Sequence, residues 1–419
     1  MHRVRPGWLS AALAVGALLC LAHPGWAAAP PPSAADAGPG RQVLLMLPLP
    51  PNHLRPGADY VGAWGDGMGR SARHRAASAI ARANGLALLD DWLMPEVGVD
   101  CFVLAVPEGQ SAAEVAARLS RAPGVAWSQP VNTFRTRSEP AHGGRYLLAE
   151  PAAREWRLAK LHEVTTGKNV RVAVIDSRID QAHPNLAGQI DLSENFVADS
   201  ALAPELHGTA VAGIIAANPV RGAVTGVAPG ARLLALRACR QTPSPANPSS
   251  ATCDSLSLAR ALEFAIAHHA QVINMSLGGP PDPLLAKLLD IAASDGIAVV
   301  AAFDRELPKG GFPASHPGVL AVADEAWASP PSGVYRAPGD DVPTTSPGGR
   351  YSLVSGSSFS AAQVSGLIAL VRERAARPVR LAVYPGGGLI DACATVLGFA
   401  HSCGADQAPR RDVAASLRR

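Results

Sequence analysis

Cysteine is scarce in this chain: there are six in 419 residues, none in a C-x-x-C pair, and no H-E-x-x-H accompanies them. Those absences remove the ligand spacings by which zinc sites and dithiol redox centres are read. Charge of one sign is lacking too. A net charge of +3, with charged residues at only 17%, is too small an imbalance to argue for a nucleic-acid partner or an anionic membrane. Beyond the amino terminus no apolar run is long enough to span a bilayer, and no internal repeat stands out. What remains is a globular composition, 48% hydrophobic, in a chain long enough for two or three cores.

The amino terminus is different. Arg3 and Arg5 precede an apolar stretch from Leu9 to Ala22, and small residues follow with Gly25 and Ala27 two apart. This is the pattern of a secretory signal peptide over 1–27, cut after Ala27, and its apolar core is too short to serve as an anchor. The protein is therefore expected outside the cytoplasm, secreted or periplasmic. Export permits disulfides. Without Cys20 the cysteines are Cys101, Cys239, Cys253, Cys393 and Cys403. Cys239 and Cys253 flank a Pro- and Ser-rich loop, and Cys393 and Cys403 flank a short one, so two local bridges are expected. Each would contribute about 3 kcal/mol through loop entropy; metal binding is the alternative. Cys101 lies on the apolar face of a strand pattern and reads as a buried thiol.

Residues 28–40 are a Pro-, Ala- and Gly-rich leader. From 41 to 135 the pattern runs strand, helix, strand, strand, helix, strand, with one helix ended by Gly85 and the other opened by a Ser111–Glu114 capping box. A polar linker over 136–152 follows. From 153 to 377 short Val-, Ile- and Ala-rich strands alternate with helical stretches, the signature of a doubly wound α/β sheet with helices on both faces. In such sheets chemistry gathers at the carboxyl ends of the strands. Residues 378–419 form a carboxyl-terminal extension without an evident role.

Asp176 ends the strand VRVAVID, His207 opens the helix HGTAVAGIIAA, and Ser358 sits in SGSSFSAAQVSG at a turn entering a helix. Each alone is a common turn or capping residue. Together they supply an acid, a base and a nucleophile where a doubly wound sheet exposes functional groups.

The surrounding blocks, VAVIDSRIDQAHPNL, HGTAVAG, VINMSLGG, FPASHPGVLAVA and GSSFSAAQVSG, resemble those of subtilisin-like serine proteases in the same order, over residues 153 to 375. The resemblance implies a subtilisin-like fold preceded by a small α+β, ferredoxin-like prodomain that inhibits the enzyme within the chain. It implies a serine endopeptidase acting on protein or peptide substrates through Asp176, His207 and Ser358, in the chain order known for subtilisin. Ser276, Leu277, Gly278 and Gly279 match the strand that pairs with substrate, and Ala301, Ala302 and Phe303 match the opposite pocket wall. His183, in AHPNL, matches a structural histidine. No cofactor is required; structural calcium occurs in the family, but no ligand loop here marks a site. A monomer is expected, with no nucleic acid and no membrane contact once the signal is removed.

The chain departs from the family pattern at several positions. Arg178 stands where a Gly follows the Asp-Ser pair, Ala362 replaces a Pro in the serine block, and Phe303 and Asp304 replace the Gly and Asn of the A-A-G-N block. Asp304 thus falls at the oxyanion position, whose amide donor, when removed from a subtilisin, costs about 10²–10³ in rate. Phe303 should narrow the pocket toward small or medium side chains. The expected activity is reduced, and the alternative is a catalytically degenerate fold serving binding or assembly. Processing is expected in an exposed segment between Phe134 and Arg145.

Overall fold

The computed structural model describes residues 38–50, 67–139, 156–199, 201–219, 224–242, 247, 249–327, 329–375, 379–385 and 387–398. The expected signal peptide and most of the leader lie outside them, as do 140–152 of the linker and Cys403. Among the described residues no helix is long and apolar enough to cross a membrane.

The first unit comprises β1 (Gln42–Pro48), α1 (Gly67–Ala83), β2 (Ala87–Met94), β3 (Val99–Ala105), α2 (Ala112–Leu119) and β4 (Trp127–Pro130). Its sheet has the order β2-β3-β1-β4, with antiparallel pairing throughout, which is the ferredoxin-like arrangement. β1 is apolar along its length because both faces are covered. Val43 and Leu45 point to α1 and α2, packing with Ala77, Val115 and Leu119. Leu44 and Met46 point the other way, into a core shared with the second unit. This two-residue alternation is what a pleated strand imposes. Gly85 ends α1 in the left-handed region at φ 67°, and the Ser111 hydroxyl accepts the Glu114 N–H at the start of α2. Cys101 is fully buried and its thiol pKa is pushed far up by that burial.

The second unit contains β5 (Thr133–Thr136), α3 (Leu158–His162), β6 (Arg171–Asp176), β7 (Ile190–Asn195), α4 (Leu206–Ala216), β8 (Arg232–Arg237), β9 (Cys239–Gln241), β10 (Ala251–Asp254) and α5 (Ser255–Ala267). It continues through β11 (Val272–Met275), β12 (Leu277–Gly278), α6 (Pro283–Ser294), β13 (Ala298–Ala302), β14 (Val319–Asp324), β15 (Tyr335–Ala337), β16 (Val342–Ser346), β17 (Arg350–Val354), α7 (Ser357–Arg374) and α8 (Ala392–Leu397). Seven strands form a parallel sheet in the order β15-β14-β13-β11-β6-β8-β7. α4 and α7 cover one face and α5 and α6 the other. From β6 the chain runs to the edge strand β7, returns to β8 beside β6, then crosses to β11 and winds outward through β13, β14 and β15. The crevice at the carboxyl ends of β6 and β11 is therefore the switch point of the sheet.

The two units meet where the first sheet lies on α5 and α6. Asp282 caps α6 by accepting the Leu284 and Leu285 N–H groups, and it also receives the side-chain amides of Gln129 and Asn132 and the Ser255 hydroxyl. One buried carboxylate thus ties a helix start to the other unit. A disulfide joins Cys239 to Cys253 across β9 and β10, as expected from their spacing. The described part of the carboxyl-terminal extension packs on the main core through Leu381, Ile390, Ala392 and Val396.

The linker expected from Thr136 onward begins later. Thr136 closes β5, which finds strand partners on both sides: Leu277 and Gly278 of β12, and Thr252, Cys253 and Asp254 of β10. The segment expected to be exposed from Phe134 to Arg145 is only partly so: Arg135 and Glu139 are exposed, and 140–145 lie outside the described residues. Phe134 is fully buried, and Thr136 and Ser138 are buried with it.

Candidate active site

Asp176 stands at the carboxyl end of β6 and His207 in the first turn of α4. The helix can approach that strand because residue 208 is glycine: a Cβ there would lie 2.1 Å from the Ser177 carbonyl oxygen. The Gly208 N–H donates instead to the Ser177 hydroxyl at 3.0 Å. His207 Nδ1 then lies 2.8 Å and 2.9 Å from the two Asp176 carboxylate oxygens, with both residues buried. Asp176 also accepts the Ser177 N–H at 2.6 Å. A carboxylate on Nδ1 fixes the tautomer and leaves Nε2 as the proton-accepting nitrogen.

Arg237, at the end of β8, supports this corner. Burial works against its charge, but Asp199 and Glu205 hold the guanidinium protonated and raise its pKa. Arg237 holds the Asp199 carboxyl below its usual range, against the effect of burial. Glu205 directly precedes α4 and also accepts the Arg178 N–H. The side chain of Arg178 itself has a buried Nε without a hydrogen-bond partner.

Ser358 lies in the first turn of α7, and its contacts belong to another part of the site. The hydroxyl donates to the Ser276 carbonyl at 2.9 Å and accepts the Arg137 N–H at 2.8 Å. The Ser358 N–H donates to the Arg137 carbonyl at 3.0 Å. Arg137 therefore engages Ser358 through both its amide and its carbonyl. Gly356 makes room for it, since a Cβ at that position would stand 2.4 Å from the Arg137 oxygen. His207 Nε2 is buried and has no hydrogen-bond partner. The acid–base pair is joined; the serine hydroxyl is turned toward Ser276.

β5 delivers Arg137 to this point as an added strand, the way extended peptides dock on sheet edges. Thr136 pairs with Leu277 and Arg135 with Gly278. Phe134 fills a pocket against Phe312, their ring centroids 6.4 Å apart, and its ring approaches Gly279. Ala301 and Ala302 are buried beneath the site, and Phe303 packs on Trp327 with ring centroids 5.3 Å apart. The Asp304 carboxylate uses Oδ1 to accept the Glu306 N–H and sets Oδ2 2.7 Å from an Arg137 guanidinium nitrogen. Ala362 is buried within α7. His183 stands apart, with Nε2 2.9 Å from the Arg350 carbonyl and Nδ1 accepting the Asn185 N–H. Among the described residues no group of three or more His, Cys, Asp and Glu could hold a metal ion.

The subtilase family model matches residues 167–382. The chain belongs to the subtilase family. It is 36% identical to subtilisin E of Bacillus subtilis (strain 168) over half of this chain and 57% of that one. Against the subtilisin of Bacillus pumilus the identity is again 36%, over 78% of that protein. Against the major intracellular serine protease of Bacillus subtilis (strain 168) it is 32%, over 69%. Among solved structures, fervidolysin from Fervidobacterium pennivorans, a keratinolytic enzyme related to subtilisin, aligns with a TM-score of 0.61 over 85% of this subtilase chain and 61% of its own. Its 20% identity makes this a likeness of fold.

The sequence named Asp176, His207, Ser358, Ser276–Gly279 and Ala301–Asp304; the structure pairs Asp176 with His207 and Ser358 with Ser276, and sets the His207 ring 5.4 Å from that of Phe359, the residue after Ser358. The sequence did not name Phe134 or Arg137 as residents of the crevice. The alternation in Thr133-Phe134-Arg135-Thr136 was the available signal, but a lone strand pattern does not say which strands will flank it.

Proposed function

We propose that this subtilase is an exported serine endopeptidase. Ser358 Oγ adds to the scissile carbonyl carbon while its proton passes to His207 Nε2. The amine leaves with that proton, and water deprotonated by the same nitrogen then hydrolyses the acyl ester. Asp176 holds the imidazole and stabilises its cation. The observation that supports this most is the chain's own β5, lying in the crevice as a substrate would, with the Arg137 carbonyl on the Ser358 N–H. On this reading the first unit is an inhibitory prodomain, the first cut falls between Arg137 and Ser138, and Asp304 at the oxyanion position makes turnover slow. A specific observation favours a second reading, a degenerate protease that binds rather than cuts: His207 Nε2 is unpartnered while Ser358 bonds to Ser276.

Labelling of the full chain with an organophosphonate, read by mass spectrometry, separates the two. The protease reading expects phosphonylation at Ser358, absent in Ser358→Ala. It also expects a new amino terminus at Ser138 that the Ala variant does not produce. Absence of labelling at every pH tested would leave the binding reading standing.

A further inference from the structure

The side chain of Arg137 raises a question that its main chain does not. Its guanidinium leaves the strand, passes over Gly278 and reaches Asp304: a Cβ on Gly278 would lie 3.3 Å from Arg137 Nε and 3.5 Å from Asp304 Cβ. Nη2 sits 2.7 Å from Asp304 Oδ2, with the arginine side chain 24% exposed and the aspartate 5%. The carboxylate is fixed before any cation arrives, because Oδ1 accepts the Glu306 N–H at 2.9 Å in a turn closed by Leu307 N–H to Asp304 carbonyl. A fixed, largely buried carboxylate gains most from a partner that neutralises it.

The surroundings have the same sign. A cavity of about 380 Å³ opens beside Arg137; its lining carries four carboxylates, Glu139, Asp304, Glu306 and Asp324, and besides Arg137 itself two guanidinium groups, Arg135 and Arg305. Burial raises the Asp324 pKa and so disfavours its charge, which leaves Asp304, held by the Glu306 N–H, as the carboxylate that meets Arg137. The Phe303 ring packs against Trp327 and leaves no room for a Cβ on Gly310. What a side chain at this place meets is therefore an aromatic wall and an acid, and the expectation of a small or medium occupant gives way to a long cationic one.

We propose that Asp304 is a specificity residue that selects a cationic side chain, arginine foremost, on the residue whose carbonyl faces Ser358. The substrate class is protein or peptide cut after arginine. This inference rests on the endopeptidase reading for its chemistry, but the cation site itself does not depend on catalysis. The contact is a single ion pair, Nη2 to Oδ2, and what favours arginine is the length of side chain needed to cross Gly278 to the carboxylate.

Two measurements on the full chain test it. The first uses Ser358→Ala, so that nothing is cut, and follows hydrogen exchange of the Glu139 amide, which donates to the Ser355 carbonyl at 2.7 Å. Arg137→Asp and Asp304→Arg should each speed exchange at least tenfold, and the two together should restore most of the protection. Failure of the double variant to restore it overturns the cation site. The second compares phosphonates bearing a guanidinium or an isosteric uncharged group next to phosphorus. The guanidinium probe should label Ser358 at least tenfold faster, and Asp304→Asn should remove most of that ratio, whatever it does to the absolute rates. A ratio near one in the unsubstituted chain overturns the specificity. If neither probe labels and the charge exchange still restores protection, the cation site stands and the endopeptidase reading falls. If protection is not restored either, both fall.

Discussion

The two halves of the candidate site are in different states. Asp176 and His207 are joined at 2.8 Å, buried, and braced through Glu205 by the Arg237 cluster. Ser358 has its hydrogen on the Ser276 carbonyl and its oxygen under the Arg137 amide. The first half is built from β6 and α4, which pack directly on each other. The second is completed by β5 and Arg137, the stretch that leads from the first unit into this one. An acid–base pair can be assembled by the fold alone, whereas the serine's orientation depends on what lies in the crevice. The module that fills the crevice thus also detains the hydroxyl.

The largest expected effect comes from emptying the crevice. Phe134 is fully buried against Phe312, and truncating a buried aromatic costs about 3–5 kcal/mol. Phe134→Ala should let β5 leave, free Ser358 from the Arg137 amide and speed phosphonate labelling by about 10²-fold or more. Labelling at the unchanged rate would mean that the serine's orientation belongs to the domain and the contrast between the halves is intrinsic. Next in size is Asp304→Asn in that same background, where release of Arg137 no longer contributes. An amide donor in place of an acceptor should add about 10²-fold at neutral pH. No gain would mean that residue 304 does not reach the oxyanion.

A smaller, pH-dependent effect concerns how firmly the module is held. Glu263 on α5 meets Glu96 of the β2–β3 turn, and burial first, then the Glu96 charge and their shared hydrogen bond, push its pKa up to about 7; Trp92 and Arg260 oppose this. Once the module leaves, Glu263 should return to an ordinary carboxyl value, near 4.3. The docked state therefore binds the proton more tightly. Docking is firmest below the free value, weakens as pH rises toward about 7, and changes little beyond. Labelling of Ser358 should accelerate over that window by less than tenfold per pH unit, and Glu263→Gln should flatten the profile. A profile unchanged by the substitution would remove this pair from the account.

The legible parts of the molecule were those carried by short, contiguous patterns. Val-, Ile- and Ala-rich runs gave the parallel strands, Gly85 and Ser111 gave helix ends, and Asp176, His207 and Ser358 stood in blocks whose neighbours explain them. Gly208 and Gly356, for instance, are required by backbone approaches of 2.1 Å and 2.4 Å. The illegible parts depend on a partner distant in sequence. Nothing local in Phe134-Arg135-Thr136-Arg137 says that β12 and β10 will flank it, and nothing local in Asp304 says that a guanidinium from residue 137 will meet it. Alignment with the A-A-G-N block assigned Asp304 a role toward the carbonyl. The charge brought by Arg137, just after β5, adds a role toward the side chain.

The smallest effect sharpens the contrast from outside the site. His183 is fully buried, as His207 is, and it too lies in a family-like block, yet its ring is committed on both nitrogens: Nε2 to the Arg350 carbonyl and Nδ1 to the Asn185 N–H. Its edge meets the Tyr351 ring with centroids 5.4 Å apart, so it ties the segment after β6 to the β16–β17 hairpin. A ring with both nitrogens occupied has none to offer a substrate proton. His183→Gln should therefore lower thermal stability by about 1–2 kcal/mol, the cost of disturbing a buried hydrogen-bonded group. The rate of Ser358 labelling, measured well below the melting transition, should stay the same. A loss of labelling comparable to that of His207→Gln, in a variant that keeps its fold, would show that the corner around β6 and the hairpin is coupled to the acid–base pair and that the site is larger than the crevice.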